Sequence, residues 1–109
     1  MARRVDIEDV FRGEDVVLSC SLASPQNITG KTIKFALRKE QQPESPILAE
    51  ATALIDDALV GHYHIPLPGV PVTDRAPNQY WYDIAMVDPG SYKVFNWGMF
   101  VIKPGARKV

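Results

Sequence analysis

His62 and His64 are the only histidines of this 109-residue chain, and they stand two apart in the segment "VGHYHIPL". On a strand, residues i and i+2 point to the same side, so two imidazoles could reach one metal ion. A zinc site needs a third and usually a fourth ligand. The chain has one cysteine, Cys20, set in the apolar run "VVLSCSL". The two histidines therefore read as a solvent-facing pair on a sheet, and neither a metal nor another cofactor is expected. Cys20 cannot close an intrachain disulfide alone and reads as a small core residue rather than a nucleophile.

Carboxylates offer a second route to chemistry. Asp56 and Asp57 adjoin, and Asp74, Asp83 and Asp88 lie elsewhere; general acid and base work needs two positioned groups. Neighbours on a strand point oppositely, and "IDDAL" reads as a turn in which aspartate caps backbone amides. No Ser, His and Asp are joined by a glycine elbow, and no glycine-rich loop resembles a phosphate cradle. An enzyme is not expected. Asp83 stands out because it interrupts the apolar strand "YWYDIAMV". It lies either outward with Trp81 and Ala85, or buried and accepting hydrogen bonds. Tyr80, Trp81 and Tyr82, with Trp97, could form a platform for a sugar or a partner side chain, or could be core and cross-strand pairs.

The totals narrow the field. A chain of this length forms one compact core, and 46% hydrophobic with 23% charged residues is a globular composition. Twelve Lys and Arg against thirteen Asp and Glu leave a net charge of -1, so no general field draws the chain to nucleic acid. No apolar stretch approaches the roughly 20 residues of a membrane span, and the N-terminus lacks a signal-peptide pattern. Neither nucleic acid nor membrane is expected as a partner. A reducing compartment is expected unless the protein leaves within a larger particle; the sequon at Asn27 would matter only in a secretory setting.

Proline and glycine punctuate the chain too often for helices of ordinary length, and the segments between are rich in Val, Ile, Phe, Tyr and Thr. Strands are predicted in "RVDIEDVF", "DVVLSCSL", Thr32 to Arg38, "ILAEATA", "VGHYHIPL", "NQYWYDIAMV" and "YKVFNWGMFVIKP". In residues 47 to 59 a short helical stripe competes with the strand. The last two strands form a hairpin through "DPGS", and Gly98 in "NWGMF" marks a bulge. The stretch "PLPGVPVTDRAPN" is a long irregular connection. About seven alternating strands predict an all-β, immunoglobulin-like antiparallel β-sandwich. It forms a single domain over 1–109, with its core at about 5–104 and short terminal arms. Trp81, Tyr82, Ile84, Phe95 and Phe100 are expected to pin the sheets.

Three blocks, "FRGEDVVLSCSL", "NITGKTIKFALRK" and "YWYDIAMVDPGSYKVFNWGMFVIKP", resemble the small immunoglobulin-like domain of bacteriophage tail and baseplate proteins, as in the N-terminal domain of upper baseplate proteins. The likeness runs from about residue 11 to residue 104. It implies structural roles for Gly13, Gly30, Tyr82, Asp83, Gly98 and Pro104 and no catalytic one. It also implies a virion protein made in a bacterial host cytoplasm, whose partners are other phage-encoded proteins. In larger members the domain is an attachment module; a chain ending at Val109 suggests a free-standing accessory protein or a fragment.

The expected function is non-enzymatic: a structural, protein-binding component of a phage or prophage particle. Candidate contacts are Trp81, Trp97 and Tyr80, Pro71 and Arg75 in the 66–78 connection, the strand edges, and the arms "MARRV" and "GARKV". A homo-oligomer is part of this expectation. The alternative is a carbohydrate-binding or adhesin-like module, favoured if Tyr80, Trp81 and Trp97 lie side by side on the surface. Gly13, Gly30 and Gly98 are expected as structural turn residues.

Overall fold

The computed structural model describes residues 3–21, 27–42, 45–88 and 91–104; the side chains of Pro71 and Ser91 lie outside the description. Nine strands follow one another: β1 (Arg3–Arg4), β2 (Ile7–Phe11), β3 (Val16–Ser21), β4 (Ile33–Arg38), β5 (Ile47–Thr52), β6 (Leu54–Asp57), β7 (His62–Leu67), β8 (Asn78–Asp88) and β9 (Ser91–Lys103). No helix among the described residues is long and apolar enough to cross a membrane.

Alternation decides which side chains meet. In β4, Ile33, Phe35 and Leu37 are fully buried, and in β7 so are Tyr63, Ile65 and Leu67. Each set lies on one face of its strand because the side-chain period is two. The strands form a six-stranded sheet, ordered β1-β9-β8-β4-β5 with β2 also along β9, and a three-stranded sheet, β3-β7-β6. This is the immunoglobulin-type order. Strands β3, β7 and β6 take the B, E and D positions; β4, β8 and β9 take C, F and G; β5 is the added strand beside C. The all-β sandwich is therefore as expected, with two differences in detail.

The first difference is in the N-terminal segment, which forms two strands rather than one. Both run parallel to β9, with Arg3 opposite Asn96 and Ile7 opposite Phe100, so the sandwich is not wholly antiparallel. Between them the chain kinks at Val5 and Asp6, over Gly98. A Cβ on Gly98 would meet the Val5 carbonyl oxygen and lie 2.8 Å from Asp6 Oδ1. Gly98 thus serves close approach of two backbones, not a turn. The hairpin bulge lies earlier: pairing shifts between Ile84 and Ala85, from Asn96 to Val94, and leaves Phe95 as the extra residue.

The second difference is β6. Leu54–Asp57 is a strand paired with β7, and the turn follows it at residues 58–61. Paired acids look like turn residues in sequence, but here they sit on a sheet edge, where charge meets water. The competing helix in residues 47–59 is absent. Strands β8 and β9 form the expected hairpin; Pro89 and Gly90 at its tip lie outside the described residues. Gly13 (φ 81°) and Gly30 (φ 75°) do occupy turns that need left-handed backbone.

No disulfide joins the sheets, and an aromatic cluster stands in its place. Phe35 stacks on Tyr82 with ring centroids 5.5 Å apart and meets Phe100 edge-on at 5.6 Å. Such pairs contribute about 0.5–1.5 kcal/mol each beyond their burial. Burial pushes the Tyr82 hydroxyl up to about 12, with smaller contributions from Cys20 and Asp6. Its O–H donates to the Val5 carbonyl, which ties the kink to the core. Cys20 is a half-buried free thiol that burial pushes up; a thiol of this kind is a poor nucleophile. Two residues before Tyr82, the buried Tyr80 donates its O–H to the Ala76 carbonyl at 2.8 Å. This is the corner tyrosine found at the start of strand F in immunoglobulin-type domains.

Candidate interaction surface

The outward face of the six-stranded sheet carries a cluster of large polar and aromatic side chains. Trp81 and Asp83 leave β8 on the side opposite Tyr80 and Tyr82, since neighbours on a strand alternate. In the ladder Trp97 stands opposite Asp83, and Met99 opposite Trp81. The two tryptophans are therefore diagonal neighbours, a spacing that only large side chains bridge. Their ring centroids lie 6.4 Å apart with planes 25° from parallel.

Arg4 completes the stack. Its register places it beside Trp97, and its guanidinium carbon lies 5.6 Å from the Trp81 ring centre and 5.3 Å from that of Trp97. A guanidinium over indole is held by the negative ring face. Arg4 Nε donates to Asp6 Oδ1 at 3.1 Å, and the same oxygen accepts the Met99 N–H at 3.0 Å. The Met99 amide first, and Arg4 second, hold the Asp6 carboxyl below its ordinary value.

A second group adjoins the stack. Arg38 stands opposite Trp81, and Ala36 opposite Asp83. The small Ala36 side chain leaves Arg38 free to lie across to Asp83, where Nη1 donates to Oδ2. The pair is largely covered, at 10% and 19% exposure. Tyr92 donates its O–H to the other Asp83 oxygen at 3.0 Å. Burial, and then the Asp83 charge, raise the Tyr92 hydroxyl. A depression of about 300 Å³ opens here, lined by Arg38, Glu40, Gln41, Trp81, Asp83 and Trp97.

The sequence candidates thus separate. Trp81 and Trp97 meet on the surface, and Asp83 takes the outward alternative. Trp81 is not a core residue, whereas Tyr82, Ile84 and Phe100 are, and Phe95 packs partly buried against them. Tyr80 does not join the surface group because its side of β8 faces the core. Arg75 is tied inward: Nη2 donates to the Leu48 carbonyl at 2.6 Å, anchoring the 66–78 connection to β5. Pro71 lies in a wide turn, Gly69–Thr73, closed by Asp74 N–H to the Gly69 carbonyl at 2.6 Å. The ends of both terminal arms lie outside the described residues. Sequence reasoning missed Arg38 and Tyr92, and reached Arg4 only as part of the arm "MARRV". Their only signal was phase, since Arg38 alternates with the core residues of β4.

The histidines sit on the opposite face of the molecule. His62 is exposed, and His64 Nδ1 pairs with Asp56 Oδ1 at 2.8 Å. Ser19 is the register partner of His64, and no side-chain hydrogen bond joins them. Among the described residues no three His, Cys, Asp or Glu side chains gather closely enough to hold a metal ion. No protein-family model matches this sequence, and no curated protein matches it.

Proposed function

We propose that this domain is a non-enzymatic protein-binding module, that the outer face of its six-stranded sheet is the contact surface, and that it serves as a component of a phage or prophage particle. The observation that carries the binding surface is the Arg4, Trp81 and Trp97 stack beside the Arg38, Asp83 and Tyr92 network. Trp, Tyr and Arg are the residue types that dominate protein interfaces energetically. Here they arrive already ordered, so docking freezes few rotamers. The assignment to a particle rests on the resemblance of the turn and strand blocks to tail and baseplate domains. Assembly into a ring of copies belongs to the same proposal, and light scattering across a concentration series tests it.

A glycan-binding module is the second reading, favoured by the two surface indoles. It is weaker because sugars stack on open ring faces. These rings face each other and Arg4, and Tyr80 is not beside them.

Both tryptophans of the chain lie in this one cluster, so intrinsic fluorescence reports on the surface directly. Titration with the proteins encoded next to this one is expected to shift the emission. Trp97→Ala is expected to weaken the binding by roughly 30-fold, about 2 kcal/mol, with the circular dichroism unchanged. Emission that responds to oligosaccharides and to none of those proteins would favour the glycan reading instead.

A further inference from the structure

The six-stranded sheet is wider than the sheet that covers it, and the mismatch leaves a cleft beside β3. In the sandwich plan of two four- and three-stranded sheets, an A strand lies next to B. Here the N-terminal segment runs along β9 instead, and among the described residues β3 has β7 as its only neighbour. The cleft measures about 350 Å³. Leu18 and Cys20 of β3 wall it on one side, Val5 and Ile7 on the other, and Tyr82 and Ile84 lie at its floor. Half of the backbone N–H and C=O groups of Val16–Ser21 point into this space, because the other half pair with β7.

We propose that this cleft receives one extended segment of another protein, which pairs with β3 as an added strand. Three features define the occupant. A backbone edge is satisfied only by extended backbone. The apolar floor requires apolar side chains at alternate positions, with polar ones between. Among the described residues Arg3 is the only charged one lining the cleft. Ile7 and Val10 of β2 line a depression with Val16, the first residue of β3, so Arg3, which enters four residues before Ile7 along β9, lies toward the Ser21 end. An acidic residue at that end of the segment complements it.

The other edges argue that β3 is the one left available. Proteins protect free edges with charge, proline or bulges. Strand β6 carries Asp56 and Asp57, β5 carries Glu50, and β2 carries Glu8 and Asp9 with an irregular register. Strand β3 reads VVLSCS, with none of these devices. A second copy pairing β3 to β3 would be coplanar and antiparallel. That arrangement drives the two overhanging edges, β9 with β1 and β2, into each other, so a single strand fits where a folded copy does not.

The test joins a segment Glu-Val-Thr-Val-Thr-Val, matched to the six residues of β3, ahead of the full chain. The joint is a glycine-serine linker of about 15 residues, long enough to span the cleft. The amides of β3 are then followed by hydrogen exchange. The expected result is slowing of about tenfold or more at alternate β3 residues, weaker when the glutamate is replaced by lysine, with that preference reversed by Arg3→Glu. No slowing in any fusion would overturn the proposal. So would β3 amides already as slow in the chain alone as those of β7, which would mean that its own ends or a second copy fill the cleft; sedimentation separates these two. Equal slowing by the glutamate and lysine segments would overturn the acidic partner.

Discussion

A cross-strand pair of an aspartate with a basic side chain lies on the outer face of each sheet, Arg38 with Asp83 on the wide one and His64 with Asp56 on the narrow one, and these two pairs live in different environments. Arg38 and Asp83 lie on β4 and β8, each flanked by strands on both sides, and are 10% and 19% exposed. His64 and Asp56 lie on β7 and the edge strand β6, and are 31% and 50% exposed. Tyr92 adds a further hydrogen bond to Asp83. The lesson is that sheet width sets the worth of an ion pair. Side chains on neighbouring strands exclude water over a wide sheet, whereas a three-stranded sheet has too few neighbours to do so.

Breaking the covered pair should have the largest effect. Asp83→Ala leaves Arg38 charged and half enclosed, and removing one partner of a fully buried pair costs about 3–5 kcal/mol. With residual solvent contact, a loss of about 2–3 kcal/mol is expected from urea unfolding. A loss no greater than that of the Asp56 variant would remove the distinction between the two faces.

An intermediate effect is expected at Asp6, which links the N-terminal strands to the wide sheet. Its folded value lies below 3.8, so its contribution is present above about that pH and is lost as the pH falls through the lowered value. Asp6→Asn keeps an acceptor for the Met99 amide but removes the charge. The gap in urea midpoint between the parent and Asp6→Asn should therefore be open at pH 6 and narrow toward pH 3. A gap that widens on acidification would contradict the assigned direction.

The smallest effect is expected at the exposed pair. Asp56→Ala should change stability by less than about 0.5 kcal/mol, within the range of solvent-exposed side-chain pairs. A larger loss in the same urea measurement would show that the narrow sheet shields its face better than its geometry indicates.

Alternation made most of the fold legible. Ile33, Phe35 and Leu37, and then Tyr63 and Ile65, announce their inner faces, and β8 with β9 announce the hairpin. Phase failed where both faces carry large rings. In "YWYDIAMV" tyrosine and tryptophan are equally plausible core residues, and only Asp83 hints that its own side, with Trp81, is outward. Partners across long separations were invisible. Arg38 lies 45 residues from Asp83, and nothing local to Arg4 tells that it will cross Trp97. The parallel course of β1 and β2 was hidden for the same reason, because a period of two fixes a face but not a neighbour. Asp56 and Asp57 misled through residue type, since acids suit an exposed edge as well as a turn.

The parallel course of the first strands along the last has a mechanical consequence. Arg3 enters opposite Asn96 and Lys103 leaves opposite Phe11, about 23 Å further along the strand direction at 3.3 Å per residue. Tension applied through these two points pulls the ladder lengthwise, and its rungs share the force instead of opening one after another like a zip. A domain strung in series by its two ends would hold under traction in a way that its thin covering sheet, without a covalent cross-link, would not suggest.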